Sequence, residues 1–324
     1  MSAVNRHAVA SGALALTVAV SAAACGGSDS KSSNGLEKSE ITVGTMAVAD
    51  TAPLQIAVQK GLFKAEGLKV RLQTINGGAE AIPKLSSGQF DISFGNYVSL
   101  FTAASKGVFK PKIIAEGFQS APKTHTIVVP KDSPIHSVKD LAGKKIGVNT
   151  KKNISTLLVR AAVKPANVPL DEDKNFVEVP PPNMEAALKS KSVDAVQAIE
   201  PFGTQIQQNT GARIISDLSS GPTADFPIAG YASTEKWAQK NPKTAAAFQR
   251  ALAKAEGMAA DRKMVQDILP SYAKGITPQI ASTMSYGSYP TSLNATRLQR
   301  VADLMQQFGY VSARIDAKSL TFGS

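Results

Sequence analysis

Two segments of the chain repeat one plan, and that repeat limits the possible folds more than any other feature. Ile41–Gly44 reads as a strand running into a polar loop, Thr45–Thr51, and a helix from Pro53 to about Lys60. Lys145–Val148 runs in the same way into Asn149–Asn153 and a helix from Ser155 to about Val163. Each segment then ends on the same phrase. Leu85-Ser-Ser-Gly-Gln-Phe-Asp91 matches Leu188-Lys-Ser-Lys-Ser-Val-Asp194, with Leu and Asp six apart in both. Val43 and Asp91 are 48 residues apart, Val148 and Asp194 are 46 apart. A period this long is not a solenoid. Strands alternating with helices of this length predict a mostly parallel sheet, here two of them in two similar α/β lobes.

The elements between fill the same scheme. Leu68–Leu72, Phe90–Phe94 and 112–118 read as strands of the first lobe, with helices over Ala79–Ser86 and 98–106. Asn175–Val179 and Val193–Ile199 are strands of the second, with a helix over Met184–Lys189. Asp50 or Thr51 is the expected cap of the first helix, with Pro53 in its first turn. Punctuation at Lys131–Pro134 and Pro222–Pro227 marks the crossings. The expected division is lobe 1 over 39–127 plus 228–324 and lobe 2 over 128–227, with helices beyond Thr234 packing on lobe 1.

The N-terminus reads as a leader, not as fold. Arg6 precedes an apolar stretch, Ala8–Val20, too short to span a bilayer, and small residues then lead to Cys25. That order resembles a bacterial lipobox, with Ala22 where a bulky aliphatic residue is usual. The resemblance implies a signal peptide over 1–24, a lipid on Cys25, and a flexible tether over 25–38 anchoring the protein to the outside of the cell membrane.

Composition and motifs exclude many chemistries. Cys25 is the only cysteine, which rules out a disulfide framework and Cys-rich metal sites. The net charge of +11 is scattered as single residues and pairs, with no arginine-rich stripe, so no nucleic-acid partner is expected. No Gly-x-Ser-x-Gly elbow and no Walker A loop occurs, and Gly77-Gly78 is too small a cluster for a phosphate loop. His125 and His136 read as structural. Asp91 and Asp194 are expected to fix their turns. No catalytic residue, cofactor or metal is predicted.

Ala52-Pro-Leu-Gln-Ile-Ala-Val-Gln-Lys-Gly-Leu-Phe-Lys-Ala-Glu-Gly-Leu-Lys-Val70 resembles the opening of ABC-transporter solute-binding proteins, in the subgroup of sulfonate, taurine and nitrate receptors and thiamine-pyrimidine-precursor binders. Leu85–Asp91, Ile127–Ile135 with Lys139–Val148, Val193–Pro201 and Tyr231–Trp237 agree with it in order. The resemblance implies a type II periplasmic-binding-protein fold, α/β with a ligand cleft between lobes, and a role in handing a small polar solute to an ABC permease. Ligands of open α/β sheets bind beyond the carboxyl ends of strands. The expected site is therefore Asp50, Thr51, Asn96, Tyr97 and Gln119 from lobe 1, Asn153, Ser155, Thr156, Asn183, Glu200 and Phe202 from lobe 2, and Tyr231 on the returning strand. Helix N-termini at Thr51 and Ser155 are expected to offer free N–H groups, and Tyr97 or Phe202 a flat platform. With no Arg in this set and one carboxylate from each lobe, the expected ligand carries hydrogen-bond donors; a sulfonate is the other reading. The alternatives are an enzyme of the pyrimidine-synthase-like branch, whose Cys cluster has no counterpart here, and a non-transport surface protein on the same fold.

Overall fold

A computed structural model describes residues 35–323 of the chain. The leader and Cys25 lie outside the described residues. Ten strands form: β1 (Glu40–Thr45), β2 (Lys69–Thr74), β3 (Ile92–Asn96), β4 (Pro111–Gln119), β5 (His125–Val129), β6 (Ile146–Val148), β7 (Phe176–Glu178), β8 (Ala195–Ile199), β9 (Arg213–Asp217) and β10 (Pro227–Thr234). They make two five-stranded sheets, in the orders β2-β1-β3-β10-β4 and β7-β6-β8-β5-β9. Three strands of each run parallel. One antiparallel strand, β10 in the first sheet and β5 in the second, then joins an edge strand.

Burial follows from the residues. The central strands β3 and β8 are buried along their whole length, as expected for strands covered on both faces. Along β5, Ile127 and Val129 belong to the main apolar cluster and Val128 to a smaller one with Met184, Leu188 and Ile206. That is the period-2 alternation of a strand packed on two sides. The main cluster runs without a break through both lobes, from Val43 and Phe94 to Val148 and Leu157.

Three expectations need correction. β5 pairs from His125 onward with β8 and β9, so the first crossing lies at Ser120–Thr124 and not at 127/128. An apolar run does not show which sheet a strand joins; its hydrogen bonds decide that. Glu37 and Lys38, assigned to the tether, are fastened: the Glu37 carboxylate accepts hydrogen bonds from the backbone N–H groups of Lys243 (3.2 Å) and Thr244 (3.0 Å), and Lys38 Nζ pairs with Asp91 at 2.6 Å. The helix Phe202–Thr210 and β9 were not foreseen. Pro201 precedes the helix without a side-chain cap, and β9 is a half-buried edge strand.

The two crossings are bonded to each other. Ser120 N–H donates to Phe226 O (2.9 Å), Phe226 N–H to Ser120 Oγ (3.0 Å) and Gln119 Nε2 to Asp225 O (3.0 Å). The segment 284–289, between the last helices, runs across them, with Gln119 and Ser288 exchanging two backbone bonds of 3.0 Å. A Cβ on Gly287 would come within 2.4 Å of Gln119 O, so only glycine permits this approach.

Candidate functional site

The loop after β1 is drawn inward at Ala49–Thr51. Thr51 does not cap the helix Ala52–Gln59: its hydroxyl donates back to Met46 O at 2.7 Å, closing its own loop. Two phenols hold the loop from the other side, Tyr272 donating to Val48 O (3.0 Å) and Tyr289 to Ala49 O (2.8 Å). Asp50 is left in the interior with no ion pair, its carboxyl bonded to its own backbone N–H and close enough to Tyr231, Tyr272 and Tyr289 for its charge to reach them, and burial pushes it up to about 7.

From the second lobe comes Glu200, just after β8. Its carboxylate accepts from Thr204 Oγ1 (2.9 Å), Thr204 N–H (3.2 Å) and Ser285 N–H (3.4 Å). No cation pairs with it, and burial outweighs these bonds and raises it to about 7. The lobes meet here, since Ala49 N–H donates to Glu200 O at 3.4 Å. Asp50, next in sequence to Ala49, thus lies beside the residue expected to face it. Each side of this contact thus carries one buried carboxyl with no counter-charge.

Other expected residues act on the protein itself. Asn96 caps the helix Tyr97–Ser105 by accepting from Ser99 N–H at 2.9 Å. Asn153 caps Ile154–Val163, its Oδ1 accepting from Ser155 N–H at 2.9 Å, while its Nδ2 is buried without a partner. The N–H groups of Thr51 and Ser155 are therefore not free, because Thr51 donates to Val48 O (3.3 Å) and Ser155 to Asn153. Thr156 Oγ1 bonds across the seam to Tyr310 hydroxyl at 2.7 Å. Ser155 and Phe202 are buried at the starts of their helices.

Three expected contacts are not brought to the seam. Tyr97 turns into the interior of the first lobe, beside Phe101, with its hydroxyl where a Cβ on Gly230 would lie 2.5 Å away. Tyr231 differs: its ring packs on Phe94 and Phe248, and its hydroxyl lies within reach of the Asp50 charge. Gln119 ties the crossings, and Asn183 is exposed at the start of its helix without capping it. Position at a strand end does not fix where a side chain points. His125, fully buried, is held neutral, its imidazole pushed down to about 4 by burial.

Sequence reasoning missed a second meeting point. Asn149 Nδ2 donates to Asn76 O at 2.6 Å across the seam. A Cβ on Gly77 would come within 2.6 Å of Asn149 Oδ1, and one on Gly78 within 2.6 Å of Asn96 Nδ2. Of the glycine pair, Gly77 makes room for Asn149 of the other lobe and Gly78 for Asn96 of its own. The signal was two adjacent glycines between a strand and a helix.

The chain is 26% identical over 267 residues to the nitrate import ATP-binding protein NrtC of Synechocystis, covering 77% of this chain and 39% of that protein. It is 24% identical over 240 residues to the nitrate/nitrite binding protein NrtA of Nostoc, covering 68% and 54%. The chain thus spans about half or less of these relatives. The fold superposes on the alkanesulfonate-binding protein SsuA from Xanthomonas axonopodis bound to MOPS with a TM-score of 0.74, at 18% identity over 88% of this chain and 98% of that one. Residues 34–269 match the NMT1-like family model, and the chain belongs to the NMT1-like family.

Proposed function

We propose that this protein is the extracytoplasmic substrate-binding receptor of an ABC importer, which encloses a small polar solute between its lobes and passes it unchanged to a permease. Likeness to NrtA and SsuA in sequence or fold supports the receptor role. The ligand class rests on one observation: Asp50 and Glu200, one from each lobe, lie buried at the seam with no cation beside them. Two such carboxyls repel an anion in poorly hydrated surroundings and accept hydrogen bonds from amino, ring N–H or hydroxyl groups. The occupied N–H groups of Thr51 and Ser155 support the same choice over a sulfonate. Attachment is assigned to a lipid on Cys25 after cleavage of residues 1–24, on the likeness of the leader to a lipobox. Cys25→Ala is expected to release the protein from the detergent phase.

Calorimetry with an amino-substituted heterocycle and, separately, an alkanesulfonate tests the ligand class. Asp50→Asn and Glu200→Gln are each expected to weaken the donor-bearing ligand about tenfold or more. Tight sulfonate binding untouched by either substitution overturns the ligand class and leaves the receptor standing. Since both carboxyls are raised, the folded protein holds extra protons between about pH 4 and 7. Stability without ligand is expected to fall as pH rises through that window, and affinity for a donor ligand to rise as the carboxyls ionise near 7. A melting series from pH 4 to 8, repeated on Asp50→Asn, reads the first effect as a shallower decline in the variant.

A further inference from the structure

In the first lobe, the long helix Pro242–Ala259 carries Glu256, 2% exposed. Glu256 has no hydrogen bond or ion pair, and its Oε1 is fully buried without a partner. It forms part of the wall of two cavities. One, of about 300 Å³, lies under residues 290–293 and is also bounded by Glu116, Gln249 and Arg250. The other, of about 310 Å³, is bounded by Arg262 and the segment Tyr286–Tyr289. Both are at the lower end of the range for small-molecule sites.

The charges around Glu256 are already committed. Arg250 is paired with Glu66 at 2.8 Å, and Arg297 with Glu116 at 3.0 Å, where Asn294 N–H also donates at 2.6 Å. Arg262 donates to Ser282 O and Met284 O, both at 3.0 Å, and lies over the Tyr286 ring. Gln249 spends its Nε2 on Ile114 O at 2.7 Å, leaving its carbonyl oxygen on the wall. What remains unused is an acceptor set with one uncompensated carboxyl. Two further buried groups, the hydroxyls of Tyr97 and Tyr231, have no partner either, and the Glu256 charge reaches both. A buried polar group left unsatisfied in a native interior calls for an explanation.

We propose that Glu256 anchors a second binding site, distinct from Asp50 and Glu200, that takes the head group of a small primary ammonium compound. The three N–H bonds of such a cation match the Glu256 carboxylate and the neighbouring carbonyl oxygens, and its charge balances a carboxyl the fold leaves unpaired. Burial, with Glu116 nearby, pushes the empty Glu256 carboxyl up to about 9, so that a proton takes the place of the cation when none is bound.

Methylammonium chloride titrated into the full-length protein, with tetramethylammonium as control, tests this by calorimetry and thermal shift. Saturable binding of methylammonium is expected, with none of the tetramethyl compound, which has no N–H. Glu256→Gln should weaken it about tenfold or more while keeping the fold, and Asp50→Asn should leave it unchanged. No saturable binding overturns the site, as does binding that survives Glu256→Gln or is lost in Asp50→Asn.

Discussion

The two sheets share one strand order, yet the matching aspartates that brace them are built to different depths. Asp91 Oδ2 accepts from Thr42 N–H at 2.9 Å, and Asp194 Oδ2 accepts from Lys145 N–H at 2.8 Å. Each stands one strand over from the residue it holds, pinning the start of β1 or the lead into β6. There the likeness stops. Asp91 is buried and also accepts from Lys38 Nζ (2.6 Å) and Trp237 Nε1 (2.7 Å), whereas Asp194 is exposed and makes the single bond. The first lobe receives the chain's start and its C-terminal helices, so its brace gathers three distant segments. Duplicate topology sets where a brace is needed; the surroundings set how much rests on it.

Breaking both braces measures the difference. Asp91→Ala strands the half-buried Thr42 N–H and Trp237 Nε1–H and removes an ion pair with the partly exposed Lys38, and is expected to cost about 3 kcal/mol in urea unfolding. Asp194→Ala loses one solvent-shared bond and is expected to cost about 1 kcal/mol or less. Equal losses would mean that the network around Asp91 adds nothing. A smaller effect is expected at a packing site. Gly230→Ala places a Cβ 2.6 Å from Ala115 O and 2.5 Å from the Tyr97 hydroxyl, overpacking the first lobe by roughly 2 kcal/mol. Smallest are the caps: Asn96→Ala and Asn153→Ala should each cost about 1 kcal/mol, alike in both lobes because the same bond to a helix N–H is lost. Unequal cap losses would show that the unpartnered Nδ2 of Asn153 has a further role.

Much of this was legible because the repeat is local. Alternating apolar residues and short helix phrases place β1, β2 and β4 and the helices after β1 and β6 within a residue or two of their observed ends. What escaped depends on contacts distant in sequence. Phe202–Thr210 is rich in Gln and begins after Pro201, which has no capping side chain, so it carries little helical signal, and it forms by packing on β8 and β5. For the site, Asp50 and Glu200 were readable as strand-end carboxylates. Tyr97 points into its own lobe because a place at a strand end leaves the direction of the side chain open, about 100° changing with each helical step. Glu256 sits in an amphipathic helix where a glutamate ordinarily meets water, and nothing local distinguishes it.

The bonded crossings have a mechanical corollary. Two bodies joined at one point can swing in any direction, but two linkers laced side by side through Ser120, Phe226 and Gln119 define a line. Any separation of the lobes is then rotation about that line, with a single angle as its coordinate. One label pair, placed across the far edge where Thr156 meets Tyr310, would report the entire motion. A ligand would have only that one angle to immobilise, which leaves more of its contact energy for affinity.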